Sequence, residues 1–304
     1  MATFSQIEQD FYDIVGEPSN STVYPGLTTS GTYTLLLANR AEDTICRQKN
    51  WWFLKTKYLF VTALPTTLDG GVETTDITID LISASDNIPS SGAIWCEGDV
   101  ISYTGVSSNT LTGVTNIDIA HSSGANVEIL YALPSDFSHS PVLTVQTQGG
   151  NYRPLRMIQV EDLDYGVDSA DDRSFGFGDE TDRWSIVTDK DGNEYMRINL
   201  KSTEKAAMLH YYKEQTEMTA SGSTATIPDP FARKILPLQM AHIAMQERGD
   251  NPDGLAEKIE ENANNELEKM GNYNTRRKME GIRPKTFNMY RSGNNRIYRQ
   301  IIIN

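Results

Sequence analysis

Two cysteines, four histidines and no run of 18 or more apolar residues occur in the 304-residue chain. Cys46 and Cys96 fall in segments of different expected type, which excludes a disulfide framework or a four-ligand zinc site and makes both small buried residues. The missing apolar run excludes a membrane-spanning helix. The opening Met-Ala-Thr-Phe-Ser-Gln lacks the basic then apolar layout of a secretory leader, so a soluble chain made in the cytosol is expected. Nucleotide and hydrolase signatures are missing as well: there is no Walker-type loop and no Gly-x-Ser-x-Gly elbow, and Gly176-Phe177-Gly178 meets Thr181 where a dinucleotide fingerprint needs a third glycine. In the turn at Asp189, Gly192 is too early and Leu200 stands where a calcium loop needs its glutamate, so a hairpin is expected. His121, His139, His210 and His242 are scattered over separate segments, with no HExxH pattern or carboxylate pairing nearby; His242 reads as a hydrogen-bonded core residue. No catalytic, cofactor or metal site is nominated, and an enzyme is not expected.

What is present is charge, unevenly placed. The net charge is −14, yet nine of the 27 Lys/Arg and only one of the 41 Asp/Glu lie in 269–304, which leaves 18 basic and 40 acidic residues before it. An acidic body cannot hold nucleic acid by its phosphates, because binding needs cations to replace condensed counterions. The basic tail either folds back on that body or docks on a neighbouring subunit.

The patterning predicts an α+β chain: a helical hairpin or bundle plus an antiparallel β domain, with an inserted small all-β module and an extended C-terminal arm. Helices are expected over 5–15, with a Ser5 and Glu8 capping box, and over 32–49, with Leu37, Ala41 and Ile45 on one stripe. A third is expected over 229–248, where Asp229 caps, Pro230 takes the first helical position and Pro237 kinks or restarts the helix. A fourth is expected over 252–270, with Leu255, Ile259, Ala263, Leu267 and Met270 as its stripe before Gly271. Strand patterns fall at 55–63, 76–82, 93–103, 110–114, 126–130, 141–146, 152–160, 184–188, 195–200 and 206–213, and 162–182 reads as an acidic loop. The boundaries follow: a core of 1–63 with 131–271, a β module of 64–130, and a basic arm of 272–304.

The order of these parts carries a resemblance. Trp51-Trp52-Phe53-Leu54 ends a long helix, Tyr131-Ala132-Leu133-Pro134-Ser135-Asp136-Phe137 follows a strand, and Leu209-His210-Tyr211-Tyr212-Lys213 closes a meander. Ile227-Pro228-Asp229-Pro230-Phe231 then opens a helical hairpin. Together they resemble the head-to-tail adaptor (connector) proteins of tailed bacteriophages, podophage-type. The module containing Val100-Ile101-Ser102-Tyr103-Thr104-Gly105, Leu111-Thr112-Gly113-Val114 and His121-Ser122-Ser123-Gly124 looks like a small β unit recurrent in phage tail and neck proteins.

The resemblance implies a structural virion protein of the neck: a ring, dodecameric in that family, joining the portal to the tail nozzle and lining an acidic channel that viral DNA crosses without specific binding, with no cofactor and no membrane. It implies an arm docking on the portal through Arg283, Lys285, Phe287, Tyr290, Arg291, Arg296, Ile297, Tyr298, Arg299, Ile301 and Ile303. On the insert, Trp95, Tyr103 and His121 are the candidate seat for a tail fibre. The alternative is a carbohydrate-binding or depolymerising phage tail protein built on the β segments.

Overall fold

Among the described residues, apolar residues spaced three and four apart form four helices: α1 Phe4–Val15, α2 Tyr33–Gln48, α3 Phe231–Arg248 and α4 Leu255–Glu280. The computed structural model describes residues 1–19, 23–25, 32–83, 87–146, 150–159, 183–199, 205–249 and 254–280, and the chain divides into two units, Met1–Lys55 with Glu214–Asn304, and Thr56–Lys213. It is an α+β protein. The division does not follow the sequence boundaries at 63/64 and 130/131. The acidic loop 162–182 lies outside the described residues.

In the helical unit α3 packs against α1, α2 and α4. Ala232, Ala241 and Ala244 are buried among Ile235, Leu236, Met240 and Met245, and small residues let neighbouring helices approach closely. The α1 cap sits two residues earlier than expected: Gln6 accepts the Thr3 N–H at 3.1 Å, while Glu8 is buried and accepts the Thr34 hydroxyl at 2.6 Å. Pro230, following a cis bond, precedes α3, so Asp229 is not its cap, and α3 runs continuously through Pro237. The Trp51 indole donates to the Ile45 carbonyl at 2.7 Å, satisfying one of the orphan carbonyls at the end of α2.

The fourth helix corrects the sequence boundary most. It continues past Gly271 to Glu280, so 272–280 is helical and not an extended arm. The buried stripe Ala256, Ile259, Ala263, Leu267 and Met270 continues into Asn274, whose side chain accepts the Trp52 N–H at 3.1 Å and donates to the Asn50 carbonyl at 3.3 Å. Those bonds anchor the turn beyond the glycine.

The β unit holds β1 Lys55–Val61, β2 Thr66–Thr67, β3 Thr78–Asp80, β4 Gly92–Cys96, β5 Asp99–Tyr103, β6 Gly105–Ser107, β7 Thr110–Thr112, β8 Asn126–Ala132, β9 Phe137–Gln146, β10 Tyr152–Pro154, β11 Arg156–Met157, β12 Arg183–Thr188, β13 Glu194–Asn199 and β14 Ala206–Lys213. One sheet has the order β1-β14-β9-β10, a second β11-β12-β13-β8-β4-β5 with β2 beside β8, and a third β3-β7-β6. Pairing is antiparallel where described, except that β11 runs parallel to β12.

The expected run 93–103 is two strands. Glu97 at φ 48° and Gly98 at φ 100° make a two-residue turn in the left-handed region, and Cys96 pairs with Asp99 across it. More consequentially, the 64–130 segment is not a separate module. Strand β8 crosses the 130/131 boundary: it pairs with β4 on one side, and with β13 on the other through Arg197↔Leu130, Met196↔Tyr131 and Tyr195↔Ala132. One continuous core joins Leu68, Ile79, Ile94, Ile101 and Val127 to Leu143, Trp184, Met196 and Leu209.

Candidate functional site

The arm residues Arg283, Lys285, Phe287, Tyr290, Arg291, Arg296, Ile297, Tyr298, Arg299, Ile301 and Ile303 all lie outside the described residues. Their point of departure is described. The exposed face of α4 carries Glu257, Glu260, Glu261 and Glu268 before it reaches Arg276 and Arg277. Beside those arginines is an aromatic cluster that sequence reasoning did not assemble. Trp52 stands edge-on to Phe53 at 5.1 Å and packs against Tyr273 at 5.1 Å and Phe231 at 6.2 Å. The Arg277 guanidinium sits 5.5 Å from the Tyr273 ring centre and 6.0 Å from that of Trp52. Tyr273 is 40% exposed, and Trp52, Phe53 and Phe231 are half-buried. Solvent-facing Trp, Tyr and Arg in one patch is the composition of an interface anchor. The only signal in the sequence was the Trp51-Trp52-Phe53 run, which does not say which ring turns inward: Trp51 is fully buried and Trp52 is not.

Of the proposed tail-fibre contacts on the insert, Tyr103 and His121 are corrected. Their residues are 2% and 3% exposed, so neither presents a surface. The Tyr103 ring crosses over Gly92, its cross-strand partner, and its hydroxyl donates to the Pro89 carbonyl at 3.0 Å. Trp95 is half-buried, with the Arg197 guanidinium 4.3 Å from its ring centre. Arg197 also makes a two-pronged ion pair with Glu128, at 2.6 and 3.1 Å, so the three side chains tie β4, β8 and β13 together on one face. This arrangement accounts for Trp95 as a sheet brace.

His121 overturns the expectation that no histidine has a carboxylate nearby. Its side chain is fully enclosed, with Nδ1 3.2 Å from Glu97 Oε2 and Nε2 3.3 Å from Asp99 Oδ2. Asp99 Oδ2 also accepts the Asp118 N–H at 2.8 Å, and the His121 backbone pairs with Val72. Cys96 Sγ, Glu97 and His121 offer ligand atoms that lie within 4.8 Å of one another. Burial, reinforced by Glu97 and Asp99, pushes the Cys96 thiol up to about 12. His242, by contrast, is a core residue on α3 whose Nδ1 lies 3.4 Å from the Ala256 carbonyl.

No family model matches the chain, and a search of curated proteins finds no match either. Among the described residues no helix is long and apolar enough to cross a membrane.

Proposed function

We propose that the chain is a non-catalytic assembly protein of a phage neck, forming a ring between portal and tail nozzle through which DNA passes. One observation carries this reading: α4 leads from a glutamate-rich exposed face to Arg276 and Arg277 beside a half-exposed aromatic cluster, and is followed directly by the basic segment 281–304. Aromatic and arginine side chains contribute most to protein interfaces because they bury large area at low entropic cost. The acidic remainder suits a passage wall, since a surface that repels phosphates lets DNA slide. Exposed ion pairs contribute only about 0–1 kcal/mol each, so the cationic tail gains its hold from apolar burial of Ile297, Tyr298, Ile301 and Ile303 as an added strand, multiplied by ring symmetry. The dodecameric count and the portal as receiver rest on the family resemblance.

Removal of 288–304 is the test. The truncated protein is expected to keep its thermal unfolding and to lose attachment to portal-bearing heads. Attachment at the full-length level overturns the docking role.

A further inference from the structure

We infer that Cys96, Glu97 and His121 form a three-ligand site for a divalent transition-metal ion of the zinc class, with Asp99 orienting the histidine from behind. The inference is independent of the assembly reading.

The geometry begins at His121, which is held between two carboxylates. A neutral imidazole has one N–H, yet both ring nitrogens of His121 face carboxylate oxygens, at 3.2 and 3.3 Å. Asp99 is the fixed partner, buried and held through the Asp118 N–H. With Nε2–H donated to Asp99, Nδ1 is left facing Glu97 Oε2, the arrangement in which an imidazole and a carboxylate share a metal ion. A ligating histidine that donates its other N–H to a carboxylate is the recurrent support of protein zinc sites.

The donor set fits the same ion. Thiolate, imidazole and carboxylate are the three zinc ligand types, and three protein ligands leave a fourth position for water. Zinc bond lengths of about 2.0 to 2.3 Å in a tetrahedron put neighbouring ligand atoms roughly 3.3–3.6 Å apart. The Nδ1 to Oε2 separation is already 3.2 Å, and Sγ has to close from within 4.8 Å. The Glu97 side chain is 53% exposed on its turn, which provides both the entry path and the slack to close. Binding releases the thiol proton to solvent as the sulfur becomes a ligand. The site joins the β4–β5 turn to the loop bearing His121, so the metal would act as a clasp within the insert.

The test uses the full-length, tag-free chain stripped with a chelator and titrated with Co²⁺, then Zn²⁺. One equivalent of Co²⁺ is expected to produce a thiolate-to-metal charge-transfer absorption that Zn²⁺ abolishes, and Zn²⁺ is expected to raise the thermal midpoint. Cys96→Ser should lose the absorption, and Asp99→Asn should weaken Zn²⁺ binding ten- to a hundredfold. Because Asp99 also receives a backbone N–H, Glu97→Gln on the exposed turn is the safer variant: at least tenfold weaker Zn²⁺ binding with an unchanged metal-free midpoint. A folded wild type without the absorption, an absorption that survives in Cys96→Ser, or unaltered affinity in Glu97→Gln overturns the site.

Discussion

The Glu42 carboxyl is fully buried on α2, with Oε1 accepting the Ile227 N–H at 2.9 Å and Oε2 without a partner among the described residues. Burial pushes it up to about 7 from an ordinary 4.5, and its backbone hydrogen bonds to Ile227 and Thr226 hold back only part of the rise. The folded state therefore keeps the proton after the unfolded chain has lost it. Below pH 4.5 there is no penalty, between 4.5 and 7 each unit removes about 1.4 kcal/mol at most, and above 7 the cost is constant. Glu42→Gln keeps the acceptor without the charge, so urea unfolding should show a gain of about 1–3 kcal/mol at pH 8 and little change below pH 4.5. Asp189 has the opposite sign. Burial pushes it up, but bonds from Asn193, Asp191 and Tyr195 together outweigh that and hold it below the usual carboxylate range. Its stabilisation is present above the unfolded carboxylate value and lost as pH falls through the folded one. Asp189→Ala should cost about 1–3 kcal/mol at neutral pH and progressively less in acid, read by the same unfolding series. The Asp189 turn was legible because its residues are contiguous; the Glu42 site was not, since its partner lies 185 residues away.

Among the elements, α4 is the instructive one. Its stripe was readable to Met270, and Gly271 reads as a stop because glycine weakens helices and favours their ends. The next stripe residue is Asn274, a polar side chain that joins the buried face only because it meets the backbone of 50 and 52. Asn274→Ala should therefore destabilise by about 0.5–1.5 kcal/mol, since it removes the hydrogen bonds that tie this buried helix position to the partly exposed backbone of 50 and 52. Gly271→Ala should stabilise by about 0.5–1 kcal/mol: an added Cβ meets only the Lys49 ammonium at 3.2 Å, the movable end of a flexible chain. Denaturant midpoints at constant slope decide both. The 93–103 run teaches the complementary lesson. Its alternation was visible, but a glutamate at a left-handed turn position carries no local turn signal, so the break at Glu97-Gly98 was hidden.

On the scale of the molecule, the division into units changes what the insert is. Excising 64–130 would remove β4 and most of β8, including Leu130, which pairs with Arg197 of β13, along with apolar side chains that share a core with Trp184, Met196 and Ile198. Replacing that segment with a short linker should leave a β unit without a cooperative transition, whereas the fragment 56–213 should unfold cooperatively by itself; calorimetry of the two separates an integrated insert from an appended one. By itself the sequence determined the four described helices and their stripes as far as Met270, the α+β class, the Asp189 hairpin and the charge asymmetry between body and tail. Each is written in residues a few positions apart, where periodicity, turn chemistry and summed charge act. The tertiary structure alone decided that β8 joins the insert to β13, that Trp52 faces out beside Tyr273 and Arg277, and that His121 meets Glu97 and Asp99. Those outcomes depend on pairing and register between distant strands and helices, where a shift of one residue reverses every side chain's direction and no local pattern records the choice.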